Sequence, residues 1–245
     1  MKRIMTIILG LLLLASKPVH ACDRTFNVGI HDNLWAPYVS KSNDKVTGLE
    51  VKALDLIFEN SKYCYNIIQL ANTKRALTEQ KKGVIDLSWA ITYTPRRARF
   101  FNFTTTYRDE TLRLYTHIDN TQSMANLADI INNNMTVAAN IGSYYGDEFE
   151  AYKESHPSQI IYINSAKKRF EMLDLKRVDY VAEDARVGDF YLKNSFSLKA
   201  TNLPPLNQSV VRYALSKSST SQEDADAISK LIESKADQLN TLFKN

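Results

Sequence analysis

The sequence predicts an α/β protein built as two lobes, and three observations carry that prediction. Strand-like and helix-like segments alternate from residue 25 onward, the pattern of strands joined by helical crossovers. The alternation runs through a second round after a longer strand-like stretch at Thr111–Ile118. Leu203-Pro204-Pro205 then breaks it, and one more strand and a helix follow. Residues Cys22–Asn245 thus hold more regular structure than one small lobe needs.

In the first round Thr25–Ile30 reads as a strand. Leu49, Ala53, Leu56 and Ile57 recur at helical spacing, so Gly48–Ser61 reads as loop and then helix. Tyr65–Leu70 is strand-like, and Thr73–Lys82 is a helix ended by Gly83, the residue favoured just past a helix C-terminus. Val84–Trp89 is strand-like and Pro95–Phe101 is an arginine-rich turn or short helix. In the second round Ser123–Asn132, Ser143–Glu154, Ala166–Leu175 and Ala185–Lys193 read as helices. Met135–Asn140, Gln159–Ile163, Val178–Ala182 and finally Val210–Leu215 read as strands. The last helix opens on Thr220 as cap with Glu223 three residues later. Its apolar face is Ile228, Leu231, Ile232, Leu239, Leu242 and Phe243. The alternation predicts a parallel sheet with helices on both faces.

Residues 1–21 read as an export signal. Lys2 and Arg3 precede an apolar run from Ile4 to Ala15, and Val19-His20-Ala21 is a small-residue cleavage pattern. The run is shorter than the roughly 20 residues that span a bilayer. The chain has 31 Lys+Arg and 27 Asp+Glu. Lys2, Arg3 and Lys17 are the only charges in 1–21, so 28 basic residues face 27 acidic ones after cleavage, a formal charge of +1. The basic pI therefore belongs largely to the signal and points to no nucleic-acid partner. Export permits a disulfide between Cys22 and Cys64. Each precedes or opens a strand-like run, so parallel neighbouring strands would put both at one end of a sheet. A lipidated Cys22 is the rival reading, because Val19-His20-Ala21-Cys22 is a loose lipobox; two free thiols is the third.

In sheets of this kind ligands sit beyond the carboxyl ends of the strands. Four clusters fall there: His31-Asp32-Asn33-Leu34-Trp35-Ala36-Pro37-Tyr38, then Trp89 to Arg97, then Ile141-Gly142-Ser143 opening a helix, then Glu183-Asp184. They bring aromatic walls, an arginine, helix-start amides and a carboxylate. That is the equipment for a zwitterion: guanidinium and amides suit a carboxylate, a carboxylate suits an ammonium, and rings suit an apolar or cationic side chain. No Walker loop, dinucleotide fingerprint or nucleophile elbow is present. His31, His117 and His156 lack zinc-like spacing. Neither cofactor nor metal is expected.

The order of these motifs resembles bacterial extracellular solute-binding proteins of family 3. Trp35-Ala36-Pro37-Tyr38 is similar to the family's opening aromatic–x–Pro–aromatic loop, and Gly48-Leu49-Glu50 to its helix start. Gly83-Val84-Ile85-Asp86 followed by Thr92-Tyr93-Thr94-Pro95-Arg96-Arg97 is similar to G-x-x-D … T-x-T-P-x-R. Phe103 to Tyr107, Gly142-Ser143 and Val178-Asp179 … Asp184 complete the series. The resemblance implies the type II periplasmic binding fold: two Rossmann-like lobes joined by a two-segment hinge. Lobe 1 would be 22–112 with 204–245, lobe 2 would be 113–203, and the crossings would lie near Asp109–Arg113 and Leu203–Leu206. It implies that Arg97 grips a ligand α-carboxylate with Thr92 and the Ser143 amide. Asp184 would take the amino group, Trp35 and Tyr38 the side chain, and Asp32 a polar side-chain contact. Trp89 and Arg75, with Thr73 in place of a stacking aromatic and Ala90 in place of Gly or Ser, depart from the family pattern and reshape the pocket.

The implied protein is a periplasmic monomer that binds an amino acid and delivers it to a membrane ABC permease. Two other functions share the fold. One is a periplasmic arogenate or cyclohexadienyl dehydratase, which needs an acid such as Glu183 in the cleft. The other is a sensor reporting ligand to a membrane receptor.

Overall fold

The computed structural model describes residues 22–31, 35–122, 124–193 and 195–244. The expected export signal, 1–21, lies outside the described residues. The first strand, β1 (Arg24–His31), alternates with period two, burying Phe26, Val28 and Ile30. A small ribbon, β2 (Ser40–Ser42) with β3 (Lys45–Thr47), leads into α1 (Leu49–Phe58). That helix buries Ala53, Leu54 and Ile57 on one stripe. Then come β4 (Tyr63–Leu70), α2 (Thr73–Lys81), β5 (Leu87–Thr92) and a four-residue helix, α3 (Pro95–Ala98). One long strand follows, β6 (Phe101–His117).

The second round is α4 (Leu127–Asn132), β7 (Val137–Ala139), α5 (Asp147–Ser155), β8 (Ile160–Tyr162) and α6 (Ala166–Asp174). It ends with β9 (Tyr180–Asp184), α7 (Ala185–Leu192) and β10 (Leu198–Ala200). The chain then returns through β11 (Asn207–Ser216) to α8 (Gln222–Ser234) and α9 (Ala236–Lys244).

The strands form one continuous sheet in the order β4-β1-β5-β11-β6-β9-β7-β8, with β10 on β6. The first-round half packs a core of Phe26, Leu54, Ile57, Val211, Tyr213, Ile228 and Ile232. The second-round half packs Val137, Phe149, Tyr152 and Tyr180 on one face, and Tyr115, Phe170, Leu173 and Val181 on the other. The two-lobed α/β fold is as expected. The sheet, however, is mixed. Pairs β1–β4, β1–β5, β7–β8 and β7–β9 are parallel. Strands β6 and β11 run antiparallel to every neighbour. The reason is connectivity: β6 serves both halves, pairing β11 as far as Leu112 and β9 from Leu112 to Thr116.

Several boundaries differ from expectation. The strand expected at Val84–Trp89 is β5, Leu87–Thr92. Val84 is exposed, and Asp86 instead ties to β1 by donating its N–H to the Asn27 carbonyl at 2.9 Å while its carboxylate accepts from Asn27 N at 2.8 Å. The helix expected from Ser143 starts at Asp147, because Gly146, at φ 103, turns the chain first. The last helix is two helices, and its cap sits one residue later: Ser221 and Asp224 form the capping box, and Asp224 is also held by Arg24 at 2.6 Å. Cys22 and Cys64 are joined by a disulfide with Cα atoms 5.7 Å apart. The parallel register of β1 on β4, with Thr25 opposite Cys64, brings them together.

Candidate functional site

A cavity of about 110 Å³ opens between the two halves. A water needs about 10–15 Å³, so the space suits a small solute. Its first-half wall comes from the ends of β1 and β5, the loop at Trp35, and the start of α2 at Thr73. Its second-half wall is Asn140, Ser143, Tyr144, Tyr145, Asn164, Arg169 and Glu183. Glu110 and Leu112 of the shared strand β6 also line it.

Arg97 is positioned by Thr94, whose hydroxyl accepts the Arg97 N–H at 3.2 Å, and by Pro95 at the first helical position. Its guanidinium donates to the Thr92 carbonyl (Nη1, 2.9 Å) and across the cleft to the Gly142 carbonyl (Nη2, 3.3 Å). Burial pulls this guanidinium below its usual pKa, with Glu110, Glu150 and Tyr144 opposing. Thr92 donates its hydroxyl to Glu110 Oε2 at 3.4 Å. Trp35 Nε1 reaches across to Glu183 Oε1 at 3.1 Å, and Asn140 Nδ2 to Thr73 Oγ1 at 2.9 Å. Gly142, at φ 90, lies so close to α2 that a Cβ there would stand 2.7 Å from Lys74 N. The two halves therefore touch, and this is a closed arrangement.

Three buried carboxylates surround the cleft, and their environments differ. Glu183 is fully engaged: Oε1 accepts from Trp35 Nε1 and from Asp184 N at 2.9 Å, and Oε2 pairs with the Arg169 guanidinium. Burial works against the Arg169 charge, yet Glu183 and Tyr145 more than offset it and hold that guanidinium above its ordinary value. Asp184 caps α7, accepting from Arg186 N at 2.8 Å and Val187 N at 3.3 Å. Its other oxygen faces Tyr38 Oη at 3.4 Å and Arg108 at 3.9 Å. Burial pushes Asp184 up to about 6, while Arg108 resists. Glu110 is pushed up to about 7, again by burial, with Arg108 opposing and Asp184 adding to the rise.

Of the residues singled out from sequence, Trp35, Trp89, Thr92, Arg97 and Ser143 stand on the cavity wall. Tyr38 and Asp184 do not. They lie behind it around Arg108, which also pairs with Glu50 at 2.9 Å and sits 4.2 Å from the Tyr38 ring. Asp32 lies outside the described residues. Ser143 is in a turn, not at a helix start, and its amide donates to the Asn140 carbonyl at 3.4 Å. Sequence reasoning missed Glu110, Asn140, Ser88 and Arg169. Arg169 carried a readable signal: Ala166, Arg169, Phe170 and Leu173 fall on one helical stripe, and all four are buried.

Trp89 and Thr92 lie inside β5, not after it. Between them Ala90 adopts φ 54, and its N–H donates to Tyr107 Oη at 2.9 Å. An L-residue in that region carries strain typical of functional sites. Among the described residues, no group of three or more His, Cys, Asp or Glu could hold a metal ion.

Two lobes sharing a sheet, with a polar cleft walled by both, define a bilobal solute-binding protein. The chain belongs to the bacterial extracellular solute-binding proteins, family 3, whose model matches residues 26–239. Solved structures share the fold at low identity. A mutant of ArgBP from T. maritima superposes with a TM-score of 0.76 at 16% identity, covering 90% of this chain and 93% of that one. An amino acid ABC transporter substrate-binding protein from Streptococcus pneumoniae, bound to L-arginine, gives 0.74 at 19%, covering 90% and 92%. The ancestral amino acid-binding protein AncCDT-1, a precursor of cyclohexadienyl dehydratase, gives 0.74 at 17%, covering 90% and 94%. No curated protein matches the sequence.

Proposed function

We propose that the protein binds an amino acid between its lobes in the periplasm and presents the closed form to a membrane ABC permease. Lobe 1 is 22–112 with 204–245, and lobe 2 is 113–203. Arg97, with Thr92 and the Ser143 hydroxyl, receives the ligand carboxylate; Trp35 and Trp89 wall the rest.

One observation supports this most directly. Arg97 stands on the cavity wall with its guanidinium bonded to the backbone carbonyls of Thr92 and Gly142, and no carboxylate lies within ion-pair distance of it among the described residues. A buried guanidinium without a paired anion suits a ligand carboxylate, which it can grip through charge-assisted hydrogen bonds. The solved relatives that bind arginine or transport amino acids support the ligand class. Cys22 is engaged in the disulfide, which favours release into the periplasm over lipid anchoring.

The test is a thermal-shift screen of the purified protein against the twenty L-amino acids. A ligand stabilises by mass action, so at least one raises Tm, and Arg97→Ala abolishes the shift. A responder unaffected by Arg97→Ala sinks the assignment of the carboxylate site.

A dehydratase is the second reading, favoured by Glu183 on the wall and by the AncCDT-1 likeness. Glu183 spends both oxygens on three partners, a poor state for a proton donor. Turnover of arogenate or prephenate, lost in Glu183→Gln, would establish that reading instead.

A further inference from the structure

We propose that Glu110 is the cleft's acceptor for a cationic group on the ligand, and that it decides between amine-bearing ligands and plain carboxylates. The inference rests on the cleft being the binding site.

The argument is an accounting of charge. Arg169 and Glu183 neutralise one another on the wall. Arg97 is the wall's remaining cation, and its described partners are the backbone carbonyls of Thr92 and Gly142. Of the carboxylates, Glu183 is saturated, and Asp184 is committed to the α7 amides, Tyr38 and Arg108 behind the wall. Glu110 alone stands on the wall with spare capacity. It accepts one long hydrogen bond, 3.4 Å from Thr92 Oγ1, and has no cation within ion-pair distance among the described residues.

Its surroundings explain why it is short of a partner. Thr92 faces it from β5, Arg97 from α3, Asp184 from β9, and Arg108 lies two residues before it on β6. Arg212 of β11 lines the groove on its outer side. Arg108, the nearest strong cation by charge effect, pairs with Glu50 and faces Asp184, and does not come within ion-pair distance of Glu110. Glu110 is therefore a buried carboxylate that its own cations leave undersupplied, and burial pushes it up to about 7. A ligand ammonium supplies the missing charge. With Glu110 ionised the wall carries one free cation and one free anion, the complement of a zwitterion. With Glu110 neutral, it complements a simple anion.

The experiment takes the best-responding L-amino acid from the screen and its des-amino carboxylic acid. Both are titrated calorimetrically into wild type, Glu110→Gln, Asp184→Asn and Glu183→Gln at pH 8. Wild type prefers the amino acid by tenfold or more. Glu110→Gln collapses that ratio toward one, mainly by weakening the amino acid, while Asp184→Asn retains it. In wild type the ratio also narrows about tenfold on going from pH 8 to pH 6, because the ammonium must then displace a proton. Asp184, pushed up to about 6 by burial, would narrow the ratio only about twofold over the same range, so the size of the wild-type pH effect still decides between the two carboxylates if a mutant misfolds. A wild-type ratio in Glu110→Gln, a collapse in Asp184→Asn or Glu183→Gln instead, or a ratio flat in pH overturns the inference. A screen without any responder overturns the binding reading itself, and this inference with it.

Discussion

Gly142→Ala separates the cost of folding from the cost of closing. A residue with a side chain at φ 90 carries roughly 1–2 kcal/mol of strain. That strain is the same with the lobes open or shut, so it lowers Tm without touching affinity. Closure adds a second term. The new Cβ would lie 2.7 Å from Lys74 N and 2.9 Å from Lys74 Cα, both backbone atoms of the opposite lobe. Restoring ordinary contact requires the lobes to part by roughly 1 Å. The contacts at this seam are Arg97 Nη2 to the Gly142 carbonyl at 3.3 Å and Asn140 Nδ2 to Thr73 Oγ1 at 2.9 Å. At about 0.5–1.5 kcal/mol each, their loss sums to about 1–3 kcal/mol, or roughly 5- to 150-fold in Kd. Calorimetric titration with the best-responding amino acid measures the second term, and urea unfolding of the ligand-free protein measures the first. A stability loss of the strain's size with Kd changed less than twofold would refute the claim that this seam closes on ligand.

Two further outcomes concern stability. Glu110 titrates near 7 in the fold against about 4.5 when unfolded, so the native state binds the proton more readily. Stability contributed by this group therefore rises as pH falls from above 7 toward 4.5, and its ionisation at pH 8 costs about 3 kcal/mol. Glu110→Gln is accordingly more stable than wild type at pH 8 and equal to it near pH 5, read by urea unfolding at both pH values. The Cys22–Cys64 bridge closes a loop with a sequence separation of 42. Chain-entropy arguments give it about 4 kcal/mol, and the double Cys→Ser variant loses that amount in the same assay.

The alternation of elements was legible because helices such as α1, α6 and α8 carry an apolar stripe and β1 its own period of two. What failed to read locally was decided at long range. Thr220/Glu223 and Ser221/Asp224 both fit a capping box; Arg24 from the first strand, through its pair with Asp224, favours the second. Val84-Ile85 has strand-like residues, but Asp86 anchors to Asn27 and the strand begins after it. In the site, Arg97, Thr92 and Trp35 were readable because local turn chemistry sets them at strand ends. Glu110 was not, for it lies mid-strand beside Asp109 and looks like a surface pair. Asp184 and Tyr38 were placed in the pocket by the strand-end rule as well as by likeness. The arginine that draws them behind the wall, Arg108, comes from a strand whose length the sequence understated, Thr111–Ile118 against Phe101–His117.

That strand has a mechanical consequence. β6 passes from one lobe to the other without a break, and at Leu112 it is paired on both sides at once, with Asn207 and with Asp184. Leu206 N also holds the Leu112 carbonyl at 2.8 Å. A joint made this way bends like a leaf spring. Opening is spread as extra twist over several residues, and no ladder bond needs to break. Amide protons around 110–114 should thus exchange slowly whether the cleft is full or empty, while those of the 141–146 turn respond to ligand.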